Sequence, residues 1–214
     1  MGSIGAENRL DKIRLSSTQI EEQITDYSLS FPSTRRRDVE WGMKLPMFVP
    51  SFHKYVIGRG VIPRQNEFWE LYLSDNESDS QIRRLSPEQR EGLKARVYRA
   101  YPSLVRDIHF ALLLRESGKF DEVVYNEDLD IIQGVDLIVV KNGDTFAVNL
   151  YTNTRRAHRG RSKKQFRHEE LKEVKNIELP ISFRGSKQCG AFFLYSSREL
   201  EKLEELIQDY TKHS

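Results

Sequence analysis

The fold is decided by two neighbouring stretches of sequence, Gly134-Val135-Asp136-Leu137-Ile138-Val139-Val140 and Thr145-Phe146-Ala147-Val148-Asn149-Leu150-Tyr151. Between them stands Asn142-Gly143. Asn-Gly flanked by apolar, β-branched runs is typical of a β-hairpin, because a two-residue type I′ turn needs a positive φ at both central positions. The sequence therefore predicts two antiparallel strands over 135–141 and 144–151.

The turn also predicts the register of the hairpin. Lys141 pairs with Asp144, and counting outward places Asp136 opposite Asn149. Residues two apart on a strand share a face, so Tyr151 lies on the same side of the sheet as this pair. Unpartnered polar groups are costly to bury. A carboxylate, an amide and a phenol grouped on an otherwise apolar sheet therefore indicate a candidate site.

Helices and further strands surround the hairpin in the sequence. Residues 102–118 have the apolar spacing of an amphipathic helix, with Asp107 outside its apolar stripe. An earlier helix is predicted to start at the capping box Ser86-Pro87-Glu88-Gln89 and to end near residue 100. Strand-like runs cover 120–125, 177–183 and 190–195, and a charged helix covers 197–210.

A strongly basic segment follows the hairpin directly. No acidic residue occurs between Asp144 and Glu169. Such a run is often only a solvated face, but this one concentrates its charge immediately after the candidate site, which favours contact with phosphate groups. The predicted nucleic-acid-binding residues are its seven cations: Arg155, Arg156, Arg159, Arg161, Lys163, Lys164 and Arg167.

From about residue 98 to 210, this order of elements resembles the core of the PD-(D/E)xK nuclease superfamily, the restriction-endonuclease-like enzymes. The run Gly-Val-Asp-Leu-Ile-Val-Val looks like the family's strand with the metal-binding Asp, here Asp136. Residues 146–151 look like its (D/E)-x-K strand, and the helix with Asp107 looks like its first core helix. The resemblance implies an α/β fold, a mixed central sheet with flanking helices, preceded by a mainly helical N-terminal region.

The sequence departs from the family at the two positions that complete its motif. Asn149 stands where the family has its second acid, and Tyr151 stands where it has its lysine. An amide oxygen ligates Mg²⁺ but brings no charge. A tyrosine, with an ordinary pKa of about 10, does not replace a cationic lysine beside a developing negative charge. Groups that could substitute from elsewhere are the acids Glu127, Asp128 and Asp130 and the cations Lys163 and Lys164.

Two functions follow from the resemblance. In the first, the protein binds nucleic acid, with DNA favoured, and acts as a metal-dependent phosphodiesterase of restriction or defence type. Its site would contain Asp136, Asp107, Asn149 and Tyr151, with Asp136 and Asp107 holding Mg²⁺ or Mn²⁺. In the second, catalysis is lost, and the nuclease-like fold serves as a structural or protein-partner subunit of a larger complex.

The composition limits the class of protein and the cellular compartment in which either function would operate. The 214 residues are 38% apolar and 31% charged, with a net charge of only +2, and no apolar run approaches the roughly 20 residues that span a bilayer. A single cysteine, Cys189, excludes an intramolecular disulfide and fits a reducing cytosol. We therefore expect no membrane contact and a cytoplasmic protein, or a nuclear one in a eukaryote.

The polar run Ser74-Asp75-Asn76-Glu77-Ser78-Asp79-Ser80 predicts a boundary in the chain, because nothing in it is suited to burial. It divides a mainly helical N-terminal region, 1–80, from the α/β core, 81–214. Residues 1–95 are the expected docking element for a substrate, for a second copy of the chain or for another protein.

Overall fold

The computed structural model describes residues 8–126, 135–152 and 174–212. Within these ranges, short helices precede a four-stranded mixed sheet, and a long helix lies on either side of that sheet in the sequence. The expected mixed α/β architecture with a helical N-terminal region is confirmed.

The helices and strands have the following bounds. The N-terminal region contains a 3-10 turn at Arg9–Lys12, a π turn at Asp38–Gly42, and the helices α1 Ser17–Ile24, α2 Phe48–Arg59, α3 Gln65–Asp75 and α4 Ser80–Arg83. The remainder contains α5 Pro87–Glu116, β1 Glu122–Val124, β2 Leu137–Lys141, β3 Asp144–Thr152, β4 Lys175–Ile181, β5 Lys187–Cys189, β6 Phe192–Leu194 and α6 Ser197–Lys212.

The hairpin of β2 and β3 has the predicted turn and the predicted register. Asn142 and Gly143 both have positive φ, 53° and 81°, as a type I′ turn requires. Lys141 pairs with Asp144, and the ladder runs on without a bulge to Leu137 opposite Val148. One further step places Asp136 opposite Asn149.

The main sheet has the order β1-β2-β3-β4, with β3 and β4 parallel and the other pairs antiparallel. Its two faces differ in what covers them. One face joins the large hydrophobic core that includes α5 and α6, and the other carries a small apolar cluster. The large core takes Leu137, Val139, Phe146, Val148, Ile177 and Leu179, whereas the small cluster takes Val124, Val135, Ile138 and Ala147.

The two helices predicted on either side of residue 101 form one 30-residue helix, α5. Pro102 lies inside it, although a proline removes the N–H that would bind the carbonyl oxygen four residues earlier. That oxygen belongs to Tyr98, and it instead accepts a hydrogen bond from the Gln65 side chain, Nε2 to O 2.9 Å. The prediction of two separate helices, one ending near residue 100 and one covering 102–118, was wrong, and a side chain from α3 supplies the donor that Pro102 lacks.

The N-terminal helices and the sheet share the large hydrophobic core. Arginines of α5 also hold the proline- and aromatic-rich segment before α2. Arg96 donates to the carbonyl oxygen of Val39 at 2.7 Å, and Arg99 donates to that of Pro32 at 3.1 Å and pairs with Glu40. Segment 31–42 is therefore fixed along α5 by guanidinium groups as well as by apolar contact.

A buried polar network joins α1, α5 and the small β5–β6 hairpin. His109 of α5 is fully buried, and its Nε2 lies 2.8 Å from Oε1 of Glu21, which also accepts from Lys187 Nζ at 2.7 Å. Burial lowers the pKa of His109, against the opposing effect of Glu21. Burial acts to raise the pKa of Glu21, but the hydrogen bonds and charges of Lys187 and His109 outweigh it and hold that pKa below its ordinary value.

Candidate functional site

The candidate site lies at the edge of the sheet where β3 and β4 end and where β2 begins. Because β3 and β4 are parallel, their carboxyl ends meet at the same edge, with Tyr151 the Cα partner of Pro180. Asp136 stands immediately before β2, which runs antiparallel to β3 and therefore starts at this edge. Polar groups from three strands thus meet at one place.

Asp136 has a defined structural role at this edge. Its Oδ2 accepts a hydrogen bond from the backbone N–H of Leu150 at 2.6 Å. The carboxylate therefore takes the place of the backbone carbonyl that a longer β2 would offer to β3. Charge-assisted hydrogen bonds of this kind are stronger than neutral ones, so Asp136 secures the end of the hairpin.

Asn149 lies between two acids in a row that crosses three strands. Extension of the hairpin register places Asp136 on one side of it, and Glu178 of β4 is its Cα partner on the other. The side-chain Oδ1 of Asn149 is buried without a hydrogen-bond partner. Because a buried acceptor without a partner costs free energy, this oxygen is suited to a cation or a water molecule.

The sequence analysis missed Glu178. A period-2 pattern was available, since Ile177, Leu179 and Ile181 are buried and Glu178 falls between them. That pattern indicates only that Glu178 is on the other face of its strand. Its place beside Asn149 follows from the parallel pairing of β3 with β4, which no local pattern in the sequence fixes.

One buried tyrosine, Tyr195, is affected by the negative charges of both Asp107 and Asp136. Tyr195 follows β6, is fully buried, and donates its hydroxyl to the carbonyl oxygen of Leu179 at 3.4 Å. Burial chiefly, and then the negative charges of Asp107 and Asp136, raise the pKa of Tyr195 well above its ordinary value. The two acids predicted from the sequence, one on α5 and one before β2, therefore act on one region.

Arg106 is the cation beside this tyrosine. Its side chain is only 6% exposed, its Nη2 donates to Ser103 Oγ at 2.9 Å, and its guanidinium lies 5.8 Å from the centroid of the Tyr195 ring. Its Nε is buried without a hydrogen-bond partner. Sequence reasoning overlooked Arg106 because an arginine next to Asp107 on a helix is ordinarily half of a solvated pair.

The donor set at the edge suits only a weakly held metal ion. The part of the chain that the structure describes contains no group of three His, Cys, Asp or Glu side chains able to hold one. Asp136 and Glu178 supply two carboxylates and Asn149 an amide oxygen, but one carboxylate oxygen of Asp136 is engaged by Leu150. Mg²⁺ is commonly bound by one or two carboxylates together with waters and substrate phosphates. These residues fit that minimal set and no larger one.

The predicted phosphate-binding residues, Arg155, Arg156, Arg159, Arg161, Lys163, Lys164 and Arg167, lie outside the described residues, as do Glu127, Asp128 and Asp130. The sequence alone places the basic segment directly after β3, whose last residue is Thr152. Arg184, which is exposed, follows the end of β4.

Comparisons of the chain with models of protein families, with curated proteins and with solved structures each find no match. Among the described residues, none of the helices has the length and apolar character that crossing a membrane requires.

Proposed function

We propose that this protein binds nucleic acid on a restriction-endonuclease-like core, through the sheet edge at which β3 and β4 end. The observation that carries the proposal is the position of positive charge in the sequence, directly after the strand that ends at this edge. The basic segment 155–168 continues from β3 after only a few residues, and Arg184 follows the adjacent end of β4. Clustered cations with no intervening acid are the electrostatic footprint of a phosphate backbone.

The order of elements supports the proposed core. A long helix, α5, precedes three antiparallel strands, and a fourth strand joins the sheet parallel to the third. A parallel pair requires a crossover of a dozen or more residues, and residues 153–174 provide that length. The position of Asp136 at the start of the second strand, with Asp107 on the preceding helix, agrees with the PD-(D/E)xK arrangement.

The site geometry favours binding without efficient cleavage. The amide of Asn149 and the phenol of Tyr151 supply neither the second negative charge nor the positive charge of the complete motif. Asp136 is already engaged in holding the end of the sheet. We therefore propose a nuclease-like module that binds nucleic acid without cutting it efficiently.

The test compares two triple variants with equal loss of charge. Arg155→Ala, Arg159→Ala and Lys163→Ala remove three cations of the basic segment. Arg83→Ala, Arg84→Ala and Arg90→Ala remove three exposed cations from the region of α4 and the start of α5. Fluorescence anisotropy with labelled DNA should show weaker binding of the first variant to all sequences alike. Equal binding by the first variant and the wild-type protein would overturn the proposal.

A second candidate function, a metal-dependent phosphodiesterase, is favoured by the unpartnered Oδ1 of Asn149 between Asp136 and Glu178. A bound Mg²⁺ or Mn²⁺ would be held by these three side chains and would supply a water molecule of lowered pKa. Calorimetric titration with Mn²⁺ should show binding that Glu178→Gln abolishes. Identical heats for the wild type and this variant would exclude a site at Glu178.

The phosphodiesterase function also predicts how DNA cleavage changes when the complete PD-(D/E)xK motif is restored by substitution. We expect at most weak, Mn²⁺-favoured nicking of plasmid DNA by the wild type, and stronger nicking after Asn149→Glu combined with Tyr151→Lys. Efficient cleavage by the wild type that Asp136→Asn leaves intact would show that the active site lies elsewhere.

A further inference from the structure

Two aromatic rings stand side by side on the surface just beyond β4. Phe183 is 48% exposed and Phe193 is 36% exposed. Their ring centroids are 5.0 Å apart, with an angle of 53° between the ring planes. Single exposed apolar residues are ordinary, but paired exposed aromatics form a contiguous apolar patch of the kind that contacts a ligand or partner. We call the surface formed by Phe183 and Phe193 the aromatic platform.

Regular backbone holds both rings of the aromatic platform. Phe193 is the outward residue of β6, between buried Phe192 and Leu194, and it pairs with Gln188 of β5. Phe183 begins the turn after β4, in which its carbonyl oxygen accepts from Ser186 Oγ at 3.1 Å and Gly185 adopts a φ of 84°. The rings are therefore presented by a strand and a defined turn.

Positive charge borders the aromatic platform. Arg184 is exposed next to Phe183, and Arg198 of α6 lies against the same turn, because a Cβ at Gly185 would be 3.0 Å from its Nη1. Lys187 is nearby but is engaged by both carboxylate oxygens of Glu21 at 2.7 Å. Among the described residues, Arg184 and Arg198 are therefore cations available to a ligand on the platform.

Further charged groups lie near the aromatic platform or follow its neighbouring strand in the sequence. The cleft of about 440 Å³ along α6 is lined by three acids, Glu199, Glu201 and Glu205, and by two cations, Arg198 and Lys202, so acidic groups outnumber basic groups there by one. In the opposite sense, β4 is adjacent to β3, from whose end the basic segment 155–168 continues in the sequence. In the sequence, further cations therefore follow the strand that neighbours β4.

We propose that the aromatic platform stacks the bases of single-stranded nucleic acid, while Arg184 and Arg198 bind the neighbouring phosphates. This inference rests on the proposed nucleic-acid binding and adds to it a site that is specific for single strands. A base exposes its π face to a protein ring only when it is unstacked from its neighbours, which a duplex prevents. Stacking on aromatic side chains is tolerant of sequence, because every base has a π face.

Anisotropy measurements with labelled oligonucleotides test the platform directly. The probes are oligo(dT), oligo(U) and a duplex of equal length, and the variants are Phe183→Ala and Phe193→Ala. The control variant is Phe31→Ala, which removes a ring that is 61% exposed but lies before α2. We expect each platform variant to weaken binding of the single strands at least about fivefold and to leave duplex binding nearly unchanged.

A tryptophan at the platform provides a second readout. In Phe193→Trp, a stacked base should quench the indole fluorescence on binding, and affinity should be kept. Comparison of oligo(dU) with oligo(U), which differ only in the sugar, identifies the sugar that the site accepts, with equal quenching expected if only bases and phosphates are read.

The outcomes separate this inference from the proposed function. If the wild type binds oligonucleotides but the platform variants behave as Phe31→Ala does, the platform is overturned and nucleic-acid binding stands. If no oligonucleotide binds the wild type, both fail. If the platform variants abolish self-association in sedimentation experiments and leave single-strand affinity unchanged, the rings form a contact between copies of the chain, which also overturns the inference.

Discussion

Replacement of Asp136 by alanine removes the acceptor for the Leu150 N–H, which Asp136 Oδ2 holds at 2.6 Å. A donor left without a partner costs about 1–3 kcal/mol when it is fully buried, and this hydrogen bond is partly buried. For a domain of this size, 1 kcal/mol corresponds to about 2–4 °C in Tm, so Asp136→Ala should lower the Tm by about 2–12 °C. Asp136→Asn keeps an acceptor oxygen and loses only the charge, so its free energy of unfolding should fall by less than about 1 kcal/mol.

Urea denaturation of the wild type and the two variants measures these differences, and hydrogen exchange of the Leu150 amide locates them. Asp144→Ala is the matched control, because it removes an acid from the same hairpin. Its partner is Lys175 at 3.1 Å, and an exposed pair of this kind contributes at most about 1 kcal/mol. If Asp136→Ala is as stable as the wild type, or if Asp136→Asn is as damaged as Asp136→Ala, the reasoning about Asp136 is wrong.

Three further predictions concern the core. Burial lowers the pKa of His109 below its ordinary value of 6.5, so folding favours the neutral ring, and this contribution to stability is lost as the pH falls below about 6.5. His109→Gln should therefore flatten the decline of the unfolding free energy between about pH 7 and pH 5. An unchanged decline would contradict this. Gly190→Ala should destabilise the protein strongly in thermal melts, because the φ of Gly190 is 54° and a Cβ would lie 2.3 Å from the carbonyl oxygen of Thr25. A thermal melt like that of the wild type would refute this close approach. Arg106→Met should leave the unfolding free energy unchanged or raise it, since among the described residues the buried charge has only a hydroxyl and a ring as partners. A loss above about 2 kcal/mol would show that the charge of Arg106 is compensated.

Local signals in the sequence were sufficient to predict the β2–β3 hairpin but not the continuous helix α5. Asn142-Gly143 carries its own conformational requirement, so the turn and register followed from a few residues. Pro102 carries an equally local signal to stop a helix, yet α5 passes through it. The reason is Gln65, a residue 33 positions before Tyr98 in the sequence, whose side chain takes over the freed carbonyl oxygen. Such compensation depends on tertiary contact and leaves no pattern near the proline.

In the candidate site too, local sequence signals predicted some residues, whereas others are recognised only from tertiary contacts. The placement of Asp136 against β3 followed from the register, and its bond to Leu150 explains why an acid stands there. Glu178 and Arg106 were missed because each becomes notable only through its surroundings. Glu178 gains its place by parallel pairing across a crossover, and Arg106 becomes exceptional by being buried without a carboxylate within ion-pair distance among the described residues.

The salt dependence of DNA binding tests the central claim most directly. Each phosphate neutralised on a single strand contributes about −0.7 to the slope of log affinity against log salt concentration. If the seven cations of the basic segment all reach phosphates, a titration of oligo(dT) between about 50 and 200 mM salt should give a slope of about −5. A slope near zero, or no measurable binding at the lowest salt concentration, would contradict the account.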